Sequence, residues 1–222
     1  MRLLVVAATE IEIGPLISDF GFSISDVKEE EGVKIVSSKF NVLISGVGMV
    51  ATAFALGRHL AVNQYDLAIN LGIAGSFDRN IHLGDVLEIT EDTLSELGAE
   101  DGNEFIPVSR LGFGESAIKP GATKSDLYTY FKSFNLKTAT AITVNTVHGN
   151  EATIKKVTDR LNSQLESMEG AAFFYSCRAM NVPCLQIRAV SNYVEKRNRD
   201  KWDIPLAIKN LNTFAIQFLK QC

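Results

Sequence analysis

Short apolar runs alternate along this chain with stretches in which apolar positions recur every three or four residues. Residues 3–8 form the first run and read as a buried strand, too brief to cross a membrane. A helix starts over 9–16. Residues 33–38 and 41–45 read as neighbouring strands joined by a tight turn at Lys39-Phe40. Residues 49–61, rich in Ala and Leu, read as a helix, and 67–71 as a buried strand ending in Gly72-Ile73-Ala74-Gly75-Ser76. A further strand is expected over 85–90. Residues 91–120 are irregular, mostly loop with short strands, and are a candidate lid. Residues 124–134 read as a helix. Residues 138–144 alternate with β-branched side chains and read as a strand. A helix follows over 151–161. Residues 170–180 form a helix apolar almost all round, hence buried, and 184–190 form a strand. Ile204, Ile208, Leu211, Ala215 and Phe218 make one stripe of an amphipathic helix, with Pro205 in its first turn, where a missing N–H costs nothing. No linker or repeat interrupts this order. It predicts a single α/β domain over residues 1–222, with a mostly parallel or mixed central sheet.

Composition narrows the chemistry. Of 222 residues, 46% are hydrophobic, enough for a large core and too apolar for a disordered chain. The 22 Lys+Arg and 26 Asp+Glu leave a net charge of −4, without the basic excess of a nucleic-acid binder. His59, His82, His148, Cys177, Cys184 and Cys222 show no metal-ligand spacing, so no metal is expected. Three cysteines cannot all pair within one chain, which fits a reducing, cytoplasmic setting. Glu10 and Glu12 directly follow the first apolar run, and no small-residue cleavage site is present. A secretory signal and a membrane partner are therefore not expected.

Several strands run into small or polar residues, at Ser45-Gly46-Val47-Gly48, Asn70-Leu71-Gly72 and Ser191-Asn192. Ligands of open α/β sheets gather at such carboxyl ends, although glycines there also serve plain strand-to-helix turns. In Thr9-Glu10-Ile11-Glu12, Thr9 and Glu12 have the spacing of a capping box. Either glutamate could instead hold a water as general base, and spacing does not choose between them. Glu169 opens an apolar helix, where a carboxylate favours the helix dipole. The small residues after it let a ligand approach, and its carboxylate could accept both hydroxyls of a ribose. Ser191 and Asn192 suit a turn or cap. Asn192 also offers one acceptor and one donor to a planar heterocycle. The stretch 144–149, Val-Asn-Thr-Val-His-Gly, is a candidate wall for that heterocycle.

Met168-Glu169-Gly170-Ala171, followed by Arg188-Ala189-Val190-Ser191-Asn192, resembles the nucleoside phosphorylase/nucleosidase family, and further matching stretches run in family order from Val5 to Asn192. The resemblance implies a three-layer αβα sandwich around a mixed, partly barrel-like sheet. It implies catalytic roles for Glu12, as the water-activating base, and Asn192, facing the leaving base. It further implies substrate contacts from Met168 and Glu169 at the ribose and from Gly75, Val147 and Ser191 around the base. The family's adenosine-type nucleosidases carry Asp at the place of Asn192. An Asn can donate to O6 and accept from N7–H, which favours hypoxanthine over adenine. No arginine lies in the two glycine turns where family phosphorylases hold phosphate, so water is the expected nucleophile. The run from Tyr193 to Trp202 is similar to the futalosine hydrolases, with Lys196, Arg197, Arg199 and Lys201 as candidates for a 5′ carboxylate. The expected ligand is a small-molecule nucleoside, with no cofactor and no nucleic acid. The expected assembly is a homo-oligomer, with a dimer favoured.

Overall fold

The runs at 3–8, 67–71 and 184–190 are continuously apolar because the strands they form are covered on both faces. In the computed structural model, which describes residues 2–21, 28–30, 33–35, 40–121 and 126–221, β1 (Leu3–Ala7) leads into α1 (Glu10–Asp19). β2 (Lys28–Glu30), β3 (Val33–Ile35) and β4 (Phe40–Ile44) precede α2 (Met49–Leu60). Then come β5 (Leu67–Ser76), β6 (Val86–Leu94), β7 (Gly98–Asp101), β8 (Glu104–Pro107) and β9 (Ala117–Ile118). α3 (Asp126–Lys132), β10 (Lys137–Thr143), α4 (Glu151–Arg160), β11 (Leu165–Ser167), α5 (Gly170–Ala179), β12 (Cys184–Tyr193) and α6 (Ile204–Lys220) complete the order. Residues 36–38 of the strand expected at 33–38, the turn residue Lys39, Lys124 and Cys222 lie outside the described residues.

Alternate side chains along each central strand enter different cores. Leu3, Val5 and Ala7 of β1 join Ile69 of β5 and Ile187 of β12 beneath α1 and α6, where Ile13, Leu211 and Phe218 meet them. Leu4, Val6, Ala68 and Val190 face the other way, onto Leu56 of α2 and Phe173, Phe174 and Cys177 of α5. Helices thus cover both faces of the sheet, giving three layers.

The strand order is β11-β10-β6-β12-β5-β1-β4-β3-β2, and β11 also pairs with β5. That extra pairing closes β5, β12, β6, β10 and β11 into a ring, so the sheet is part barrel and part open. Parallel pairs, such as β1–β5 and β5–β12, mix with antiparallel ones, such as β6–β12. Ring closure also explains where the strands outrun their sequence patterns. β5 continues through Gly72 to Ser76, where a turn is expected, because β11 and β12 flank it there. β6 continues to Leu94 along β10. β12 runs to Tyr193, past the expected end at 190, through a register shift between Val190 and Asn192.

Two buried arrangements position the site. Asp92 of β6 lies below the start of α5. Its Oδ1 accepts from the Thr143 hydroxyl at 2.8 Å and its Oδ2 from Gln186 Nε2 at 3.1 Å. Thr143 Oγ1 accepts in turn from the Ala171 N–H at 2.7 Å. Residue 170 is glycine where a Cβ would run into Asp92 Oδ2 and Gln186 Oε1. On the other face, α1 carries Pro15 inside it, which has no N–H to offer the Ile11 carbonyl. Asn212 of α6 accepts from the Leu16 N–H at 2.9 Å and donates to the Glu12 carbonyl at 2.8 Å. One amide thus spans the two groups that an uninterrupted helix pairs with each other.

Candidate active site

The ends of β1, β5, β11 and β12 and the β4–α2 turn converge on a cavity of about 690 Å³. Glu12, Gly75, Val147, Met168, Glu169, Ser191 and Asn192, the residues singled out in the sequence, all line it. Glu10 does not. No residue of 91–120 lines it either, which corrects the expectation of a lid there. Those residues go into the continuation of β6, a β7–β8 hairpin, and β9 on the edge of β6.

Glu12 faces the cavity from the first turn of α1. Its Oε2 accepts from the Thr9 N–H at 3.0 Å and the Thr9 hydroxyl at 3.1 Å, and its Oε1 from the Ile73 N–H at 3.2 Å. The capping geometry and the cavity position therefore coexist in one side chain. Burial raises the Glu12 pKa above the ordinary value, while the Arg188 charge and the two backbone N–H groups pull it partly back. Arg188 lies across Gly72: a Cβ there would strike Arg188 Nη1 and sit 3.1 Å from Glu12 Oε1. Arg188 is 2% exposed, and its Nη2 donates to Asn70 Oδ1 at 2.5 Å.

Glu169 caps α5, but its carboxylate turns away from that helix. Oε1 accepts from the Gly48 N–H at 3.0 Å and Oε2 from the Met168 N–H at 3.2 Å. The β4–α2 turn is thereby tied to the start of α5, and both reach the cavity.

Ser191 is the extra residue of the β12 irregularity, since Val190 pairs with Ala74 and Asn192 with Gly75. Bulges of this kind re-aim the next side chain. The Ser191 hydroxyl lies 3.2 Å from the Ala74 carbonyl and 2.8 Å from Asn192 Oδ1. Asn192 Nδ2 donates to the Tyr193 carbonyl at 3.2 Å, which leaves its second hydrogen and an Oδ1 lone pair for the cavity.

Arg188 and Glu166 carry no role in the sequence reading, and His148 entered it only as part of the candidate wall over 144–149. Arg188 stood inside a quoted motif, and its signal was a cation in an otherwise apolar strand. Glu166 and His148 face the cavity as a pair: Glu166 Oε1 accepts from the His148 N–H at 3.0 Å, and Oε2 lies 2.7 Å from His148 Nδ1. Burial raises the Glu166 pKa, and His148 opposes the rise. Of the four loop cations, Arg197 reaches the cavity, with its guanidinium 5.1 Å from the Trp202 ring centroid. A second groove of about 800 Å³ adjoins the first, sharing Glu195 and Arg197 and adding Lys196 and Lys201. Arg199 lines neither.

The model of the phosphorylase superfamily matches residues 2–220. A futalosine hydrolase of Streptomyces coelicolor is 30% identical over 219 residues, spanning 95% of this chain and 92% of that protein. A 5′-methylthioadenosine/S-adenosylhomocysteine nucleosidase of Glaesserella parasuis is 26% identical over 205 residues, covering 86% and 87% of the two chains. The native structure of futalosine hydrolase of Helicobacter pylori superposes with a TM-score of 0.82 at 16% identity, covering 100% of this chain and 98% of the other. The likeness extends over the mixed, partly barrel-like sheet.

Proposed function

The chain belongs to the phosphorylase superfamily, and we propose that it is an N-glycosyl hydrolase of that family, acting on futalosine and releasing hypoxanthine. The observation that carries this reading is the convergence of Glu12, Glu169 and Asn192 on one cavity from three separate strand ends. In this reading Glu12 takes a proton from water as the water oxygen bonds to C1′ of the ribose. The C1′–N9 bond breaks, its electron pair leaves with the base, N7 takes a proton from solvent to give neutral hypoxanthine, and Glu12 afterwards returns the proton it took to solvent. A buried carboxylate with a raised pKa suits that proton transfer. Glu169 accepts from the ribose hydroxyls, held in place by the Gly48 N–H, with Met168 beneath the sugar. Asn192 accepts from N7–H and donates to O6, while Ser191 fixes its Oδ1. Val147 and Gly75 bound the base.

Arg197 lines both cavities, which supports its pairing with a carboxylate on the 5′ substituent. Val47, Val50 and Phe54, at the cavity side and on α2, are 56%, 78% and 70% exposed, which supports burial against a second copy in a cytoplasmic homodimer. Sedimentation of the purified chain tests that assembly. Hypoxanthine release from futalosine and inosine, followed by chromatography with and without added phosphate, tests the activity. Release from futalosine without phosphate is expected. Adenine release from methylthioadenosine, with none of hypoxanthine from futalosine, would replace this reading by the methylthioadenosine nucleosidase one. A need for phosphate would replace it by a phosphorylase.

A further inference from the structure

The Glu166–His148 pair has no part in cleaving the bond as described, yet both residues line the cavity. Their place in the sheet says what they face. Glu166 of β11 is the register partner of Gly75 of β5, and Gly75 is in turn the register partner of Asn192 of β12. The three therefore form one row across adjacent strands, and partners in such a row point to the same side of the sheet. A Cβ on Gly75 would lie 3.0 Å from Val194 Cγ2, 3.1 Å from Asn192 Nδ2 and 3.6 Å from Glu166 Cγ, so the two polar side chains flank the bare glycine beside the Val194 methyl. The backbones at the ends of the row are two strand spacings apart, about 9.6 Å. A side chain at residue 75 would crowd all three; glycine leaves room for a ligand between the two polar groups, against the Val194 methyl.

We propose that Glu166, oriented by His148, reads the N1 position of the purine whose N7/O6 edge faces Asn192, and so selects 6-oxopurine nucleosides over 6-aminopurine ones. This rests on the nucleosidase reading above and adds a second, separate selector to it. In a 6-oxopurine N1 carries a hydrogen; in a 6-aminopurine it is a bare acceptor. Glu166 already accepts from the His148 N–H through Oε1 and faces Nδ1 through Oε2, and with the ring proton on Nδ1 both oxygens are engaged by donors. Such donors favour the carboxylate form against the rise that burial gives its pKa, and leave it lone pairs to spare. That carboxylate accepts from N1–H and opposes a second acceptor. The side chain of Glu166 is only 4% exposed, so a mismatched base leaves it facing an acceptor away from water. His148 is itself set by the edge of Phe77, ring centroids 6.4 Å apart. His148 is a positioning residue here, and Glu166 the one that touches the base.

Two measurements test this. The first is calorimetric binding of hypoxanthine, 1-methylhypoxanthine and adenine to the unmodified protein, which needs neither turnover nor a variant. Hypoxanthine is expected to bind at least about 10-fold more tightly than either of the others, the worth of one charge-assisted hydrogen bond in a buried site. Equal binding of hypoxanthine and 1-methylhypoxanthine overturns the proposal. The second is kcat/KM for futalosine and for its 6-amino counterpart in the wild type and in Glu166→Gln, which keeps the volume but offers a donor as well as an acceptor. The 6-oxo to 6-amino ratio is expected to fall about 10- to 100-fold. An unchanged ratio in a folded variant overturns the role of Glu166 while leaving the hydrolase reading intact. Failure of the wild type to cleave futalosine defeats the hydrolase reading instead, and the binding series still decides the N1 contact.

Discussion

Asp92 gives a prediction that does not depend on any substrate. It is fully enclosed, and burial pushes its pKa from the ordinary 3.8 up to about 6, against the pull of Thr143, Arg188 and Gln186. Between those values the folded protein holds a proton on Asp92 that the unfolded chain has lost. Folding therefore takes up a proton there, and stability falls as pH rises through this window. Above the folded pKa the loss is complete. At 1.36 kcal/mol per pKa unit it amounts to about 3 kcal/mol, and about half of it, near 1.4 kcal/mol, falls between pH 5 and 7.5. Asn at this position is a permanent stand-in for the protonated acid. Its carbonyl can keep the Thr143 hydroxyl, and its NH₂ can meet Gln186 Oε1, a buried atom without a hydrogen-bond partner among the described residues. Urea unfolding of the wild type and Asp92→Asn across that pH range is the assay. The variant's stability relative to wild type should rise by about 1.4 kcal/mol from pH 5 to 7.5. Titrations of Glu12 and Glu166 affect both proteins alike and cancel in the difference. A difference that stays flat with pH, or falls, would refute the assignment of a raised pKa to Asp92.

Glu12→Gln should lower kcat by about 10²–10⁴-fold, the usual worth of a general base, while substrate still binds; unchanged turnover rejects Glu12 as the base. Because the base must be ionised and burial raises its pKa, the acid limb of the wild-type kcat/KM profile should lie above the ordinary glutamate value of 4.5. A limb at or below that value counts against the buried carboxylate. Asn192→Asp removes the donor to O6 and supplies an acceptor for a 6-amino group. It should move the ratio of hypoxanthine to adenine release about 10- to 100-fold toward adenine in paired substrate assays. Arg197 is exposed, so Arg197→Gln should raise KM for futalosine only about two- to fivefold and leave inosine unaffected. An equal change for both substrates removes Arg197 from the 5′ site.

The layered α/β order was legible because β1, β5 and β12 are buried on both faces and must read as continuous apolar runs. What sequence did not reveal depends on pairing between distant segments. Gly72–Ser76 looks like a turn, and becomes strand because β11 and β12 flank it. Asn192 looks like a cap, and a register shift against β5 puts it on a strand facing the cavity. Spacing could not separate Glu10 from Glu12; the phase of α1 does, by turning Glu12 toward Ile73. Glu166 was invisible because β11 is only Leu165–Ser167, too short for any period to show, and its meaning comes from its partner at Gly75.

The amide of Asn212 has a consequence for how the protein comes into being. It joins Glu12 and Leu16 to a residue some 200 positions later, at separations of 200 and 196. Closing a loop of that length is slow and entropically costly, and these two backbone groups of α1 wait for the amide until it closes. A nascent chain still on the ribosome can therefore contain Glu12, Glu169 and Asn192 while the Glu12 carbonyl and the Leu16 N–H still lack this tie to α6. The backbone behind the Glu12 side chain gains these two bonds only when synthesis has passed residue 212 and α6 has docked. Opening of α6 at Asn212 would free both backbone groups at once.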